Sequence, residues 1–343
     1  MVDNSKNNYI SIAKAIGIIL MVVGHSGCPS AVTKFIYLFH MPLFFVCSGY
    51  FFKEISNKDA LSTFLTKKIK GLYVPYLKWS LLFLLLHNLF RYLNITDGAF
   101  YHTTEYIKQF IKVLVMTDYE LLIRPFWFIK ELFLASIAIA TFSVIRYNIF
   151  PKVSTPILLI ISLVIALLTK LIPIIPLIGD CSLLFLSIAY FYLGILIKKY
   201  KDLIPFTATM MIISFLIVLL GSILFTGTID MRFTSAQNLT FYFVISVFGI
   251  LMVLSLSKKI EHFSIKHFLY YIGNHTMPIL ALNLLALKLG NLIKIWIYDL
   301  PMDYLSAHTV IYEHNTFFWP LYSLIGVSVP LLIYILYNRF FSR

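Results

Sequence analysis

A lysine and a histidine, Lys14 and His25, stand eleven residues apart in the first apolar segment of the chain. An α-helix turns once every 3.6 residues, so this spacing makes about three turns and places both side chains on one face, about 16 Å apart along the axis. Titratable groups within a membrane helix are costly and point to function by default. For His25 the chemistry would be proton transfer, because imidazole titrates near neutral pH. Two structural interpretations stay open: Lys14 can extend to the membrane surface, and His25 can bond a nearby interfacial carbonyl group.

The second apolar segment combines His40, Pro42 and the pair Ser48-Gly49. Proline lacks a backbone N–H and tends to kink a helix, which leaves carbonyl groups open to polar partners. We therefore expect a kink at Pro42. The small pair Ser48-Gly49 has a structural explanation, because it allows another helix to approach closely.

Three lysines follow this segment at Lys67, Lys68 and Lys70. They are either a positively charged anchor at the cytoplasmic surface or a site for phosphate groups, and both interpretations stay open. Further along, an acid and a base are adjacent at Lys130 and Glu131. Adjacent helical residues point about 100° apart, so we expect Glu131 to meet a cation from another helix.

Membrane helices are the elements that must position these residues. Of the 343 residues 60% are hydrophobic and 13% are charged, which excludes a soluble enzyme, a disordered chain and a collagen-like chain. A span needs about 20 apolar residues, and only a helix satisfies its own backbone in one such segment. We predict an all-α integral membrane protein, a bundle of about ten transmembrane helices at Tyr9–His25, Phe35–Phe52, Leu72–Phe90, Phe126–Ile145, Pro156–Ile175, Ser182–Ile197, Phe206–Phe225, Leu239–Leu256, Phe268–Leu287 and Phe317–Tyr337.

The basic residues indicate that both termini lie inside the cell. With that orientation 16 of the 28 lysines and arginines lie inside and nine lie outside, in the direction of the positive-inside rule. The net charge of +13 follows from this topology, so no nucleic-acid partner is expected. We predict a single domain over residues 1–343 with two long outer loops, 91–125 and 288–316. Their aromatic residues are either interfacial anchors or a landing surface for a sugar.

The cysteines and histidines do not indicate a metal site or a disulfide framework. Cys28, Cys47 and Cys181 are interpreted as packing residues, and the histidines lack the spacing of metal ligands. We also expect the first segment to be retained rather than cleaved as a signal peptide, because Lys14 interrupts its apolar core.

Five stretches share the pattern of one known family. A basic residue is followed, after ten intervening residues, by a histidine in the first span, where this chain has Lys14 and His25. The other stretches are residues 39–50, the basic run that ends in Pro75-Tyr76 together with Trp127-Phe128, and residues 272–280, which include Asn274. With these motifs the chain resembles the integral membrane acyltransferase 3 family over nearly its whole length, and most closely its fucose 4-O-acetylase-type members. It departs from the last motif at Asn283, where the family usually has a histidine.

The resemblance implies transfer of an acetyl or other short acyl group from acyl-CoA to a sugar hydroxyl of a cell-surface or exported polysaccharide or glycolipid. It implies a bacterial cytoplasmic membrane location, with acetyl-CoA as donor substrate and no resident cofactor or metal. The expected roles are catalysis for His25, Lys14 and Glu131, donor binding for Lys14, Lys67, Lys68 and Lys70, and substrate binding for His40, Ser48, Trp127, Asn274 and Asn283.

The helical spacing adds a hypothesis about mechanism. The three lysines after the second span would hold the phosphates of CoA, Lys14 would guide the pyrophosphate or upper arm, and the thioester would reach His25 as general base. A covalent acyl-enzyme on His25 or Ser48 stays open. A transporter or flippase for a glycan or small solute, and a structural subunit of an export assembly, are the alternatives. Consumption of acyl-CoA distinguishes the enzyme from both.

Overall fold

The computed structural model describes residues 8–171, 181–225, 227, 229–314 and 316–341. Within these ranges the chain forms helices and turns and no β-strand, which confirms the predicted all-α class there. The α-helices are α1 (Tyr9–His25), α2 (Ser30–Tyr37), α3 (His40–Tyr50), α4 (Lys58–Lys68), α5 (Val74–Leu85), α6 (His87–Tyr92), α7 (Thr103–Leu114), α8 (Trp127–Ile149), α9 (Thr155–Leu171), α10 (Cys181–Lys199), α11 (Ala208–Leu224), α12 (Ala236–Ile260), α13 (Lys266–Asn274), α14 (Thr276–Tyr298), α15 (Asp303–Ala307) and α16 (Trp319–Phe341).

Six helical stretches in the described residues are long and apolar enough to cross a membrane. Three more apolar helices, α1, α9 and α11, have 17 residues each, which is the lower limit for a span. The third predicted span, Leu72–Phe90, is interrupted, because α5 ends at Leu85 and α6 begins at His87. These helices make the chain a multi-pass membrane protein, while the count of ten and the inside location of both termini stay predictions. The six stretches are Ser30–Tyr50, Leu121–Ile149, Cys181–Lys199, Ala236–Ile260, Thr276–Tyr298 and Trp319–Phe340.

The second apolar segment breaks upstream of the predicted position. We expected a kink at Pro42, but α2 ends at Tyr37 and α3 begins at His40, with Phe39 in a non-helical conformation. Pro42 lies in the first turn of α3, where the backbone N–H groups have no partner within the helix, so the missing donor costs little. Tyr242 donates its hydroxyl proton to the carbonyl oxygen of Tyr37 at 3.0 Å, which satisfies one carbonyl group at the break.

The ninth predicted span, Phe268–Leu287, is also two helices. α13 ends at Asn274, and α14 begins at Thr276 and continues to Tyr298. The predicted outer loop 288–316 is therefore helical over its first part, which corrects that boundary. The helix ends where Asp299 takes a left-handed conformation and donates its N–H to the carbonyl group of Ile295. The other predicted loop, 91–125, contains α7.

The helices form two compact units that alternate along the chain. The first unit comprises Met1–Gly17, Lys34–Gly71 and Glu131–Asn274, and the second comprises Ile18–Thr33, Leu72–Lys130 and His275–Arg343. Helix α1 therefore contributes its first half to one unit and its second half to the other. The single domain over residues 1–343 stays a prediction.

Backbone contacts hold the first unit together. In it α10 packs against both α3 and α9, and α11 packs against α12. A Cβ atom on Gly49 of α3 would lie 1.9 Å from the carbonyl oxygen of Phe191 in α10, so only glycine fits there. The close approach predicted for the pair Ser48-Gly49 is thus confirmed at Gly49.

The second unit is built around α14, which packs against α16 and against the 3-10 turn Leu121–Phe126. The second half of α1 packs against the same helices. A Cβ atom on Gly326 of α16 would lie 2.6 Å from Cγ1 of Val22 and 3.3 Å from Cδ2 of Leu287. Helices α1, α14 and α16 therefore meet one turn before His25.

Candidate functional site

Helix α1 carries both Lys14 and His25. Asn8 caps the helix, because its side-chain oxygen accepts hydrogen bonds from the N–H groups of Ile10 and Ser11 at 3.0 and 3.3 Å. The helix then continues without interruption to His25, its last residue. Lys14 and His25 are both partly buried, and their separation along the axis is about 16 Å, as the sequence predicts.

At the Lys14 end of α1, helices α3 and α13 are close by. The ammonium group of Lys14 lies near enough to the Cys47 thiol for an electrostatic interaction. One turn earlier, the Ser11 hydroxyl donates a hydrogen bond to Oδ1 of Asn274 at 3.4 Å. A Cβ atom on Gly273 would lie only 1.8 Å from the carbonyl oxygen of Ser11, so α13 touches the backbone of α1. The structure thus brings Asn274 to the part of α1 that holds Lys14.

The three predicted phosphate-binding lysines lie at the end of α4 and in the π-helical turn Ile69–Tyr73. Lys67 and Lys70 are exposed, while Lys68 is partly covered and lies 5.3 Å from the ring centre of Phe64. Burial lowers the pKa of Lys68 to about 8. Among the residues that the structure describes, none of the three ammonium groups forms an ion pair with a carboxylate. The cluster therefore offers positive charge to an external anion.

His40 has a structural role at the break between α2 and α3. The side chain is 5% exposed, and its Nδ1 lies 3.0 Å from the carbonyl oxygen of Ile36. A carbonyl oxygen only accepts, so Nδ1 carries the proton and helps to satisfy the end of α2. Ser48, at the other end of α3, is partly buried beside the contact of Gly49 with α10. Substrate binding by His40 and Ser48 stays a prediction.

Trp127 and Glu131 lie in the first turns of α8. The Trp127 ring is half-buried and meets the ring of Phe128 edge-on, with 6.3 Å between the ring centres. The carboxyl group of Glu131 is buried, with the residue 6% exposed. Trp127 belongs to the second unit and Glu131 to the first. The cation that we expected beside Glu131 stays a prediction.

Asn283 places an acceptor atom in the core of the second unit. The residue is 0% exposed, and its Nδ2 donates to the carbonyl oxygens of Ile279 at 3.0 Å and Leu280 at 2.7 Å. Both carbonyl groups belong to the preceding turn of α14, so this orientation of the amide follows from its hydrogen bonds. Among the described residues, no group donates a hydrogen bond to Oδ1. That oxygen can accept a hydrogen bond from a hydroxyl or N–H group of a ligand.

Sequence reasoning missed a cluster around His87, which we had assigned to a membrane span. Its Nδ1 lies 2.9 Å from Oε2 of Glu120, its Nε2 lies 3.1 Å from the carbonyl oxygen of Ala99, and its ring stacks on Tyr101 with centres 3.4 Å apart. Burial raises the pKa of the Glu120 carboxyl, although the hydrogen bond with His87 acts in the opposite direction. No spacing in the sequence indicates this cluster.

Three polar residues of α14, Lys288, Asn291 and Lys294, were also missed as a group. All three are buried, at 6%, 0% and 0% exposure. Their spacing of three residues, on one face of a helix, was the signal in the sequence. We had instead assigned both lysines to an outer loop.

No metal centre forms in the ranges that the structure describes, because no three His, Cys, Asp or Glu side chains come together there. A cavity in the first unit is lined by Phe52, Glu54, Ser143, Arg146 and Tyr192 among others. It contains none of the residues predicted for the site.

The helices and the site define a multi-pass membrane protein with ionisable residues inside its apolar helices. Comparison with known families then gives the particular class. The family model described as an acyltransferase domain matches residues 7–337, nearly the whole chain. The chain therefore belongs to the acyltransferase 3 family and is a membrane acyltransferase. No curated protein and no solved structure matches it.

Proposed function

We propose that this protein is an O-acyltransferase that moves an acetyl or other short acyl group from acyl-CoA to a sugar hydroxyl of a cell-surface or exported glycan. One observation carries the proposal within the family: α1 holds a cation, Lys14, and an imidazole, His25, three turns apart on one face. The chain would act in the bacterial cytoplasmic membrane with both termini inside.

The donor would bind along this face of α1. CoA carries its phosphates at the nucleotide end and its thioester at the end of a long arm, so binding it needs positive charge some distance from the catalytic base. Lys67, Lys68 and Lys70 would hold the phosphates, which the lack of ion pairs within the described residues supports. Lys14 would contact the pyrophosphate or the upper arm, and the thioester would reach His25.

His25 would act as general base. Its imidazole removes the proton from the acceptor hydroxyl, the oxygen attacks the thioester carbonyl, and the C–S bond breaks to release the CoA thiolate, which takes up the proton. Base catalysis of this kind contributes roughly 10²–10⁴ in rate. A two-step route, with the acyl group first on His25 or Ser48, is the alternative.

The remaining predicted residues would bind the substrates or support the base. The buried Oδ1 of Asn283 supports a hydrogen bond with an acceptor hydroxyl. Asn274 lies beside the Lys14 part of α1, which supports a donor contact. His40 and Trp127 are assigned to substrate binding from their motifs alone, and Glu131 to support of the catalytic residues.

A transporter or flippase is the second candidate, and one observation favours it. Among the described residues, interrupted apolar segments include α2–α3 near the start of the chain and α13–α14 near its end, and interrupted helices are common at transport sites. Membership of the acyltransferase family favours the enzyme.

Consumption of acyl-CoA separates the two candidates. Detergent-purified protein would receive acetyl-CoA and a crude surface-glycan extract, while free thiol and base-labile acetyl ester are measured in the same sample. The proposal expects thiol and ester to appear in equal amounts and only with protein present. A protein that binds the glycan but releases no thiol would support the transporter.

A further inference from the structure

A short segment of the second unit is held in place by buried lysines. We call residues 305–312 the strap. Lys288 donates from Nζ to the carbonyl oxygens of Leu305 at 2.6 Å and His308 at 2.7 Å. Lys294 donates from Nζ to the carbonyl oxygen of Ile311 at 2.8 Å. Both ammonium groups thus bind the backbone of the strap.

Asn291 completes the attachment between the two lysines. Its Nδ2 donates to the carbonyl oxygen of His308 at 3.1 Å. Its Oδ1 accepts hydrogen bonds from the hydroxyl of Tyr322 at 2.7 Å and from the N–H of Ile311 at 3.3 Å. The strap is therefore joined to α14 along two turns and to α16 through Tyr322.

Burial of the two lysines costs more free energy than apolar side chains at the same positions would. A buried ammonium group loses its hydration, which only several well-placed acceptors can offset. Leucine at positions 288 and 294 would pack on the same face of α14 without that cost, but it would leave the strap carbonyl groups without donors. The lysines therefore fix the conformation of the strap.

The strap lies directly beside the end of α1 that carries His25. Gly27, two residues after His25, has φ +77°, a conformation that favours glycine. A Cβ atom there would lie 3.0 Å from Cγ2 of Val310 and 3.2 Å from Cε1 of Tyr312. Since neighbouring Cα atoms are 3.8 Å apart, the Cα atoms of His25 and Gly27 are at most about 7.6 Å apart. The Tyr312 ring therefore lies against the backbone two residues after the candidate base.

Tyr312 differs from the strap residues before it. Val310 and Ile311 are 3% and 2% exposed and form the packed side of the strap, whereas Tyr312 is 63% exposed. Most of its ring is therefore open to a ligand. The next residue, Glu313, is also exposed. A flat, open aromatic face matches a pyranose, which has an apolar C–H face.

We propose that Tyr312 is the stacking platform for the sugar ring of the acceptor, and that the strap holds this ring beside His25. The proposal rests on the proposed function and deepens it, because it assigns a binding surface to the acceptor. The buried lysines act at a distance from the sugar: they position the strap and do not touch the substrate.

The test measures sugar binding separately from acyl transfer. Saturation-transfer NMR in detergent micelles, with a panel of methyl hexopyranosides, would report which ring C–H protons contact the protein. The variants are Tyr312→Ala, Tyr312→Phe and, as a control, Tyr92→Ala, whose ring is 79% exposed on α6.

We expect wild type to bind at least one hexopyranoside, Tyr312→Ala to raise its dissociation constant roughly tenfold, and Tyr312→Phe and Tyr92→Ala to bind like wild type. Equal binding by Tyr312→Ala, or no binding of any panel member by wild type, would overturn the proposal. Thiol release by wild type with the glycan extract is measured in parallel. If it occurs while the sugar result is negative, the platform is wrong and the proposed function stands. If no thiol is released, the proposed function itself fails.

Discussion

Replacement of Gly273 by alanine probes the contact that places Asn274 on α1. The new Cβ would lie 1.8 Å from the carbonyl oxygen of Ser11 and 2.8 Å from its carbonyl carbon, and both are backbone atoms that cannot rotate away. An ordinary contact needs about 3.4 Å, so α13 has to move away from α1 by about 1.6 Å. Overpacking of this kind costs about 1–3 kcal/mol. A shift near 1 Å among groups that position a substrate can also cost about 10²-fold in rate.

The assay compares Gly273→Ala with Gly71→Ala. No atom lies within 4 Å of a Cβ built on Gly71, so that variant keeps the stability of wild type or gains up to about 1 kcal/mol. Thermal unfolding in detergent and acetyl transfer to the glycan extract are measured for both. We expect Gly273→Ala to unfold at a lower temperature and to lose at least about tenfold in turnover. Wild-type stability and turnover in Gly273→Ala would show that α13 does not touch α1 in this way.

Two more predictions concern donor and acceptor binding. The pKa of Lys68 is lowered to about 8, so its positive charge is present at pH 7 and is lost as the pH rises through 8. The KM for acetyl-CoA should therefore rise between pH 7 and 9 in wild type and in Lys67→Arg. It should not rise in Lys68→Arg, because arginine stays charged. An equal rise in Lys68→Arg would contradict a role of Lys68 in donor binding. Asn283→Leu removes a buried oxygen without a donor among the described residues, so stability should change by less than about 1 kcal/mol while the KM for the acceptor increases. An unchanged acceptor KM would exclude Oδ1 from substrate binding.

The sequence predicts the helices best where the apolar pattern is long and uninterrupted. The bounds of α1 match the prediction, so the relation between Lys14 and His25 follows from spacing alone. We predicted the break at Pro42 because proline commonly kinks a helix. The break lies earlier in the chain, directly before His40. The carbonyl groups at the end of α2 are satisfied locally by His40 and, from α12, by Tyr242, and the second contact is not contained in the local pattern.

The buried lysines of α14 and the His87 cluster depend on long-range contacts that no local sequence pattern contains. Lys288 and Lys294 look like loop residues because charge is rare in a buried helix. Their burial depends on the strap carbonyl groups, which come 17 or more residues later in the chain. The His87 cluster was missed for the same reason, because Glu120 is 33 residues from its partner.

The most direct test of the account is acetyl transfer by a His25→Ala variant. Detergent-purified wild type, His25→Ala and His267→Ala, in which an exposed histidine is changed as a control, would receive acetyl-CoA labelled in the acetyl group and a surface-glycan extract. We predict label in base-labile glycan ester for wild type and His267→Ala. We predict a loss of about 10²–10⁴ in rate for His25→Ala, which still binds acetyl-CoA. Transfer by His25→Ala at the wild-type rate would contradict the assignment of His25 as the base.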